Sequence, residues 1–236
     1  MKQLFLFVIT MLFFFSCDET STSEATKNNT PTQNINTSKE EKVPIKKTPP
    51  IVYDYDTTKW TDLKHLDASI VIDMRYATTN NFVKEKMYDC SRCFLRPQVA
   101  KQILAAHQIL QEGGLGLKML DCFRPRPIQQ KLWDKFQDAR YVTPPSKGSM
   151  HNRGAAVDLT IVDGDGKQLD MGTPFDFFGK EAHHAYTDLS KEVLANRKLL
   201  KETMEAVSLK PIRTEWWHYS YQAKSYELSD MLWNCE

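Results

Sequence analysis

The segment Ser149-Met150-His151-Asn152-Arg153-Gly154-Ala155-Ala156-Val157-Asp158 leads into the stretch of sequence that decides the fold. From residue 155 to 162 every second position is apolar, which predicts a strand that begins just after His151. Asp158 falls on the opposite face from its apolar neighbours, so those can pack while its carboxylate points into a cleft. Gly154 allows the backbone to turn closely beside the histidine. The segment therefore predicts a core strand with polar chemistry at its edge.

Hydrophobic periodicity and end signals predict the remaining elements. The predicted strands cover residues 69–74, 117–120 and 213–221. Predicted helices cover residues 97–112, which end at a Gly-Gly pair, a segment that starts at Pro127, and a segment capped by Ser190. Residues 163–166 are predicted to form a turn. Because strands and helices are interleaved without a regular parallel-crossover rhythm, we expect an α+β fold: a single domain with a mainly antiparallel sheet and flanking helices.

A second segment, Glu215-Trp216-Trp217-His218, adds another histidine and a further carboxylate. A catalytic zinc ion takes three protein ligands and leaves the fourth position to water, which His151, Asp158 and His218 would satisfy. Glu215, outside that set, can then accept a proton. Taken singly, such residues in strands are more often structural. Since Glu215 and His218 are three residues apart, a regular strand would point them to opposite faces, so we expect a bend at the tryptophans.

The N-terminus carries targeting features. Residues 1–16 form a short apolar run behind a lysine, too short to span a membrane and of the length of a signal peptide. The run ends in Ser16-Cys17, which resembles a bacterial lipoprotein signal and implies cleavage before Cys17 and lipid on that residue. Residues 17–50 are polar and proline-containing, which predicts a disordered tether. Residues 51–236 have ordinary globular composition and the length of one domain. We therefore expect a lipoprotein of the cell envelope, in the periplasm or at the outer membrane.

Charge and cysteine content limit the partners. The formal net charge of +1 and the lack of a basic stripe argue against a nucleic-acid partner. The chain has five cysteines, of which four follow Cys17. These four are Cys90, Cys93, Cys122 and Cys235. In an oxidising compartment they are expected to form disulfides rather than a metal cluster or free thiols, and the sequence leaves three pairings open.

Five ordered segments resemble those of the zinc D,D-peptidase family, in particular the D-alanyl-D-alanine dipeptidases of the vancomycin-resistance type. The most specific are S-x-H-x-x-G-x-A-x-D at residues 149–158 and E-x-W-H at residues 215–218. Residues 73–82 resemble the family's entry segment, residues 121–125 its D-G-Y-R-P, and residues 171–177 its M-G-T-x-F-D. The resemblance covers roughly residues 73–221. It implies the fold that zinc D,D-peptidases share with hedgehog-type signalling domains.

The resemblance also implies an activity: one zinc ion per chain would support hydrolysis of the D-alanyl-D-alanine dipeptide, in cell-wall precursor turnover or in glycopeptide resistance. It implies these roles: zinc ligands His151, Asp158 and His218; catalytic base Glu215; Arg124 at the scissile carbonyl; and Tyr76, Ser149 and Asp176 along the dipeptide site. Asp176 is the expected partner of the substrate's ammonium group, because a buried ammonium needs a paired charge.

Two other functions fit similar motifs. One is a zinc D,D-carboxypeptidase or endopeptidase that acts on peptidoglycan stem peptides. Tyr76 and Asp176 are expected to close the amine side of the site, and they therefore favour the free dipeptide as substrate instead. The other is a non-catalytic zinc-containing binding module, which needs neither Glu215 nor Arg124. Beside Arg124 the chain departs from the family's Gly and Tyr, with Cys122 and Phe123 in those places.

We predict that Cys17→Ser moves the protein from the membrane fraction to the soluble fraction, because the lipid attachment point is lost. Fractionation followed by immunoblotting measures this, and Ser21→Ala in the same polar segment is the matched control. If Cys17→Ser left the protein in the membrane pellet, the lipid anchor would be wrong.

Overall fold

The structure is a computed structural model that describes residues 52–235. These residues belong to one compact unit. The predicted signal peptide, lipidated Cys17 and tether lie outside the described residues. No helix within residues 52–235 is both long enough and apolar enough to cross a membrane.

Within residues 52–235, seven strands form two sheets. They are β1 (Thr61–Asp62), β2 (Val71–Ile72), β3 (Phe94–Leu95), β4 (Gly116–Asp121), β5 (Ala156–Val162), β6 (Leu209–Ile212) and β7 (Glu215–Tyr221). The main sheet has the order β2-β4-β5-β7-β6, and β1 pairs with β3 separately. Only β2 and β4 run parallel; every other pair is antiparallel. The α+β class with a mainly antiparallel sheet is thereby confirmed.

Three helices flank the sheet: α1 (Pro97–Gln111), α2 (Arg126–Lys135) and α3 (Lys191–Ala206). Pro97 occupies the first turn of α1, where its missing N–H costs nothing. The hydroxyl of Ser190 accepts a hydrogen bond from the Val193 amide and caps α3 as predicted. Both α1 and α3 pack against the sheet and against each other, so their apolar faces close its core side.

The sheet core is built around β5. All seven residues of this strand are buried, because it lies between β4 and β7 and is covered on both faces. The predicted strand at 69–74 shrinks to two residues, and β1, β3 and β6 were not predicted. Two-residue strands offer no periodicity to detect, and β6 contains Pro211, which discourages a strand assignment.

Two disulfides settle the cysteine pairing. Cys90 joins Cys235, and Cys93 joins Cys122. The second bridge is fully buried at both ends. The first connects the C-terminal end of the described chain to the loop before β3. The expectation of disulfides is confirmed, and the departure at Cys122 is one half of the buried bridge.

We expect Cys93→Ala/Cys122→Ala to lower the free energy of unfolding by about 3–4 kcal/mol, the loop-closure value for a loop of this length. Chemical denaturation monitored by circular dichroism measures the change. Reduced wild-type protein, which lacks both bridges, serves as the reference and should lose at least as much. A double variant as stable as the oxidised wild type would contradict this assignment.

Candidate active site

Three neighbouring strands place acidic and basic residues side by side. In the register of the sheet, Asp121 on β4 lies opposite Asp158 on β5, and Asp158 lies opposite His218 on β7. His151 begins the one-turn 3-10 helix His151–Arg153, which lies directly before β5 in the chain. Gly154 ends that turn at φ +67°, and a Cβ there would lie 2.4 Å from the Trp60 ring. Only glycine fits this position, which brings the turn down onto the sheet edge.

Three potential ligand atoms meet at this point. His151 Nε2 lies 3.1 Å from His218 Nδ1 and 3.3 Å from Asp158 Oδ1, and His218 Nδ1 lies 2.9 Å from Asp158 Oδ1. A tetrahedral zinc ion with bonds of about 2.0–2.1 Å separates its ligand atoms by about 3.3–3.4 Å. The three atoms thus have the chemistry and nearly the spacing of a catalytic zinc triad.

The hydrogen bonding of His151 bears on whether a cation fits here. Its Nδ1 lies 2.8 Å from the carbonyl oxygen of Cys122. A carbonyl oxygen can only accept, so Nδ1 carries the hydrogen, and the Nε2 of the neutral ring offers a lone pair. That lone pair faces the carboxylate of Asp158, another acceptor. Two acceptors in contact are stabilised by a cation between them, and these residues therefore fit a bound metal.

A bulge brings Glu215 to the same side as His218. Pro211 pairs with Tyr219, but the next residue of β6, Ile212, pairs with Glu215. One step along β6 therefore spans four residues of β7, so β7 bulges at the two tryptophans. Glu215 Oε2 consequently lies 4.0 Å from His218 Nδ1. The predicted bend is confirmed.

Burial tunes the acidity of Glu215. Removal from water raises its pKa to about 7, and the negative charge of Asp158 acts in the same direction, while His218 and Arg124 oppose it. A carboxylate with a pKa near neutrality both accepts and returns a proton readily.

Arg124 is held rigidly at the back of the cleft. Its Nε and Nη2 donate to Asp121 Oδ2 at 3.0 and 2.7 Å, and its Nη1 donates to Gln129 Oε1 at 3.1 Å. Tyr88 supports the same carboxylate through its hydroxyl at 2.8 Å. A guanidinium has five N–H groups, so two remain for a ligand. The guanidinium lies over the Tyr76 ring, 4.9 Å from its centroid.

Sequence reasoning gave no role to Asp121, Gln129 and Asn152. Asn152 donates to the Arg124 carbonyl at 2.7 Å and accepts from the Ser149 amide at 2.7 Å. Both Asp121 and Asn152 stood inside the quoted motifs, three residues before Arg124 and one residue after His151. Their closeness in sequence to Arg124 and His151 could have indicated that these two polar residues support the site.

Tyr76 and Asp176 meet across the cleft. The Tyr76 hydroxyl donates to Asp176 Oδ2 at 2.9 Å. Burial and the charge of Asp158 raise the pKa of Asp176 well above its usual range. Asp176 has φ +58°, in the left-handed region that few non-glycine residues adopt. Such strain is often found at ligand-binding positions.

The candidate ligands, Glu215, Arg124 and the Tyr76–Asp176 pair line a cleft of about 320 Å³, and Asp121, Gln129, Asn152 and Tyr88 support it from outside the lining. The eight site residues expected from the sequence lie around it: Tyr76, Arg124, Ser149, His151, Asp158, Asp176, Glu215 and His218. Trp217 forms part of the wall and is buried. The departures beside Arg124 are structural: Phe123 packs 4.2 Å from Trp60 between ring centroids, and Cys122 is bridged to Cys93.

Comparison with known proteins matches residues 56–232 to a family described as D-ala-D-ala dipeptidase. A D-alanyl-D-alanine dipeptidase of Escherichia coli (strain K12) is 34% identical over 181 residues, which cover 76% of this chain and 94% of that protein. A protein of the same name from Enterococcus faecium is 30% identical over 175 residues, covering 65% and 87%. The solved structure of VanYB in complex with D-Alanine-D-Alanine aligns with a TM-score of 0.38 and 16% identity over 55% of this chain and 72% of that one.

We predict that His218→Ala lowers the zinc content of the purified protein from about one ion per chain to below about a tenth, because one of three ligands is lost. Plasma emission spectroscopy after equilibration with zinc measures it. His183→Ala, a half-buried histidine outside the triad, is the matched control and should keep its zinc. A full complement of zinc in His218→Ala would remove His218 from the site.

Proposed function

Since the chain belongs to the family of D-alanyl-D-alanine dipeptidases, we propose that it hydrolyses the D-Ala-D-Ala dipeptide with one zinc ion held by His151, Asp158 and His218. The family is one of zinc metallopeptidases. The observation that carries the assignment is the convergence of three ligand atoms beside an unligated carboxylate and a fixed guanidinium in a single cleft.

A zinc ion held by His151, Asp158 and His218 would supply Lewis acidity, which would polarise the scissile carbonyl and lower the pKa of a bound water to about 7. Glu215 takes the proton of the attacking water and passes it to the nitrogen of the departing D-alanine. The raised pKa of Glu215 suits both transfers, since a group whose pKa lies near neutral pH accepts a proton and releases it with similar ease.

Arg124 stabilises the oxygen of the scissile carbonyl as negative charge develops on it. Asp121 and Gln129 hold three of its N–H groups and leave two for that oxygen. A donor fixed before the reaction costs no reorganisation during it, and loss of one such donor typically lowers the rate by about 10²–10³.

Asp176 and Tyr76 bind the free ammonium of the dipeptide. The carboxylate form of Asp176 is disfavoured in the empty cleft, and a substrate ammonium stabilises that form by direct pairing. The Tyr76 hydroxyl, already on Asp176, keeps the carboxylate in position. A free amine is thereby distinguished from an acylated one.

This selection favours the dipeptide over stem peptides, the substrates of the alternative D,D-carboxypeptidase or endopeptidase. The other alternative, a non-catalytic binding module, gives no reason for Glu215 and Arg124 to face the ligand triad. We also propose that the enzyme works in the cell envelope, periplasmic or at the outer membrane, attached through lipid on Cys17. The support for this location is the N-terminal sequence.

Replacing the base should separate catalysis from metal binding. Glu215→Gln is expected to keep its zinc and to lose about 10²–10⁴ in kcat on D-Ala-D-Ala, the usual contribution of a general base. Release of D-alanine, measured alongside metal content, tests this. Loss of zinc in this variant would make Glu215 a ligand.

Acylating the amine should impair the substrate. We expect kcat/KM for D-Ala-D-Ala to exceed that for N-acetyl-D-Ala-D-Ala by at least about a hundredfold, because the acylated form cannot pair with Asp176. The preference should rise as pH increases through the raised pKa of Asp176, because the carboxylate then becomes ionised while the substrate amine stays charged up to about pH 8. Asp176→Asn should narrow the gap by slowing the free dipeptide. Equal rates on both substrates would favour the carboxypeptidase alternative.

A further inference from the structure

One cation of the cleft has no partner. Lys147 lines the cleft and has an exposed side chain. Within residues 52–235 it takes part in no ion pair. Arg124, the other cationic side chain of the lining, is neutralised by the buried carboxylate of Asp121. Lys147 is therefore the positive charge that the protein leaves available to a ligand.

The position of Lys147 is fixed by its loop. The amides of Lys147 and Gly148 both donate to the Pro144 carbonyl, at 3.0 and 3.1 Å. Gly148 has φ +68°, and a Cβ there would lie 2.4 Å from the Leu228 side chain. The loop thus packs against the Leu228 side chain of the C-terminal segment, and its positive φ favours glycine at position 148. The lysine is presented from a defined backbone at the edge of the cleft.

The other polar groups of this loop are already used. The amide and the hydroxyl of Ser149 both donate to Asn152 Oδ1, at 2.7 and 3.1 Å. The amides of Lys147 and Gly148 are bonded to Pro144. A ligand that approaches this side of the cleft therefore finds the Lys147 ammonium as the free donor of the 147–149 segment.

A dipeptide brings two charges into the cleft. Its ammonium has Asp176, and its scissile carbonyl has the two free N–H groups of Arg124, so its C-terminal carboxylate still needs a cationic partner. We propose that Lys147 binds this carboxylate and restricts the enzyme to substrates with a free C-terminus. The proposal rests on the proposed dipeptidase function and adds a specificity residue to the same site. A charge-assisted bond at a half-open cleft is expected to strengthen binding by about tenfold.

A binding cycle tests the proposal without turnover. Zinc-loaded Glu215→Gln protein is titrated calorimetrically with D-Ala-D-Ala and with D-alanyl-D-alaninamide, whose C-terminus is neutral. The same titrations follow on Glu215→Gln/Lys147→Met and Glu215→Gln/Lys147→Arg. Glu215→Gln/Lys101→Met is the matched control, since Lys101 is an exposed lysine of α1 outside the cleft and its loss changes net charge equally. Comparing the two ligands on each of these proteins isolates the coupling free energy between the Lys147 ammonium and the C-terminal carboxylate of the dipeptide.

Lys147→Met should raise the Kd of the dipeptide about tenfold and change the Kd of the amide less than twofold. Lys147→Arg and Lys101→Met should change the Kd of the dipeptide by no more than about threefold. In the otherwise native enzyme, Lys147→Met should act mainly on KM and far less on kcat. Equal weakening of both ligands, weakening of neither, or equal binding of dipeptide and amide by the Lys147 protein would overturn the proposal. If the zinc-loaded wild-type enzyme does not hydrolyse D-Ala-D-Ala, it is the dipeptidase function that fails.

Discussion

The hydrogen bond from His151 Nδ1 to the Cys122 carbonyl joins the two segments on which the whole site depends. It fixes the ring so that Nε2 faces Asp158, and two further bonds run between the same segments. The Arg124 amide donates to the His151 carbonyl at 3.1 Å, and Asn152 donates to the Arg124 carbonyl at 2.7 Å. The proposed metal triad and the guanidinium are therefore parts of one hydrogen-bonded unit, and a shift of either displaces the other.

That unit is kept in place by apolar and covalent contacts on its far side. The Cys93–Cys122 bridge ties the segment to the strand pair β1–β3, and Phe123 packs between the rings of Trp60 and Trp233. The family's Gly and Tyr are thus replaced by a buried bridge and an aromatic contact. The replacement stabilises the backbone that carries Arg124 without placing either side chain in the cleft lining.

The charges of the cleft account for the selectivity that we propose for it. Asp121 is balanced inside the protein by Arg124, but Asp158, Glu215 and Asp176 line the same small cleft. Burial and then the negative charge of Asp158 disfavour the ionised forms of Glu215 and Asp176, which raises the pKa of both. A zinc ion and a substrate ammonium are the cations that relieve this crowding. A cleft of this kind is best matched by a small zwitterion, which is what a free dipeptide is.

The sequence by itself determined the α+β class, the two long helices α1 and α3, strand β5, and eight of the residues that line the cleft. The class, helices and strand follow from local periodicity and caps, which act over a few residues, and the site residues follow from the resemblance of five sequence motifs to the family. It could not choose the disulfide pairing, find β1, β3 and β6, or assign roles to Asp121, Gln129 and Asn152. Bridges, short strands and supporting hydrogen bonds depend on contacts between segments up to 145 residues apart. The bulge at residues 216–218 is the clearest example. The spacing of Glu215 and His218 in the sequence predicted a bend, but the pairing of β7 with β6 determines where the backbone bends.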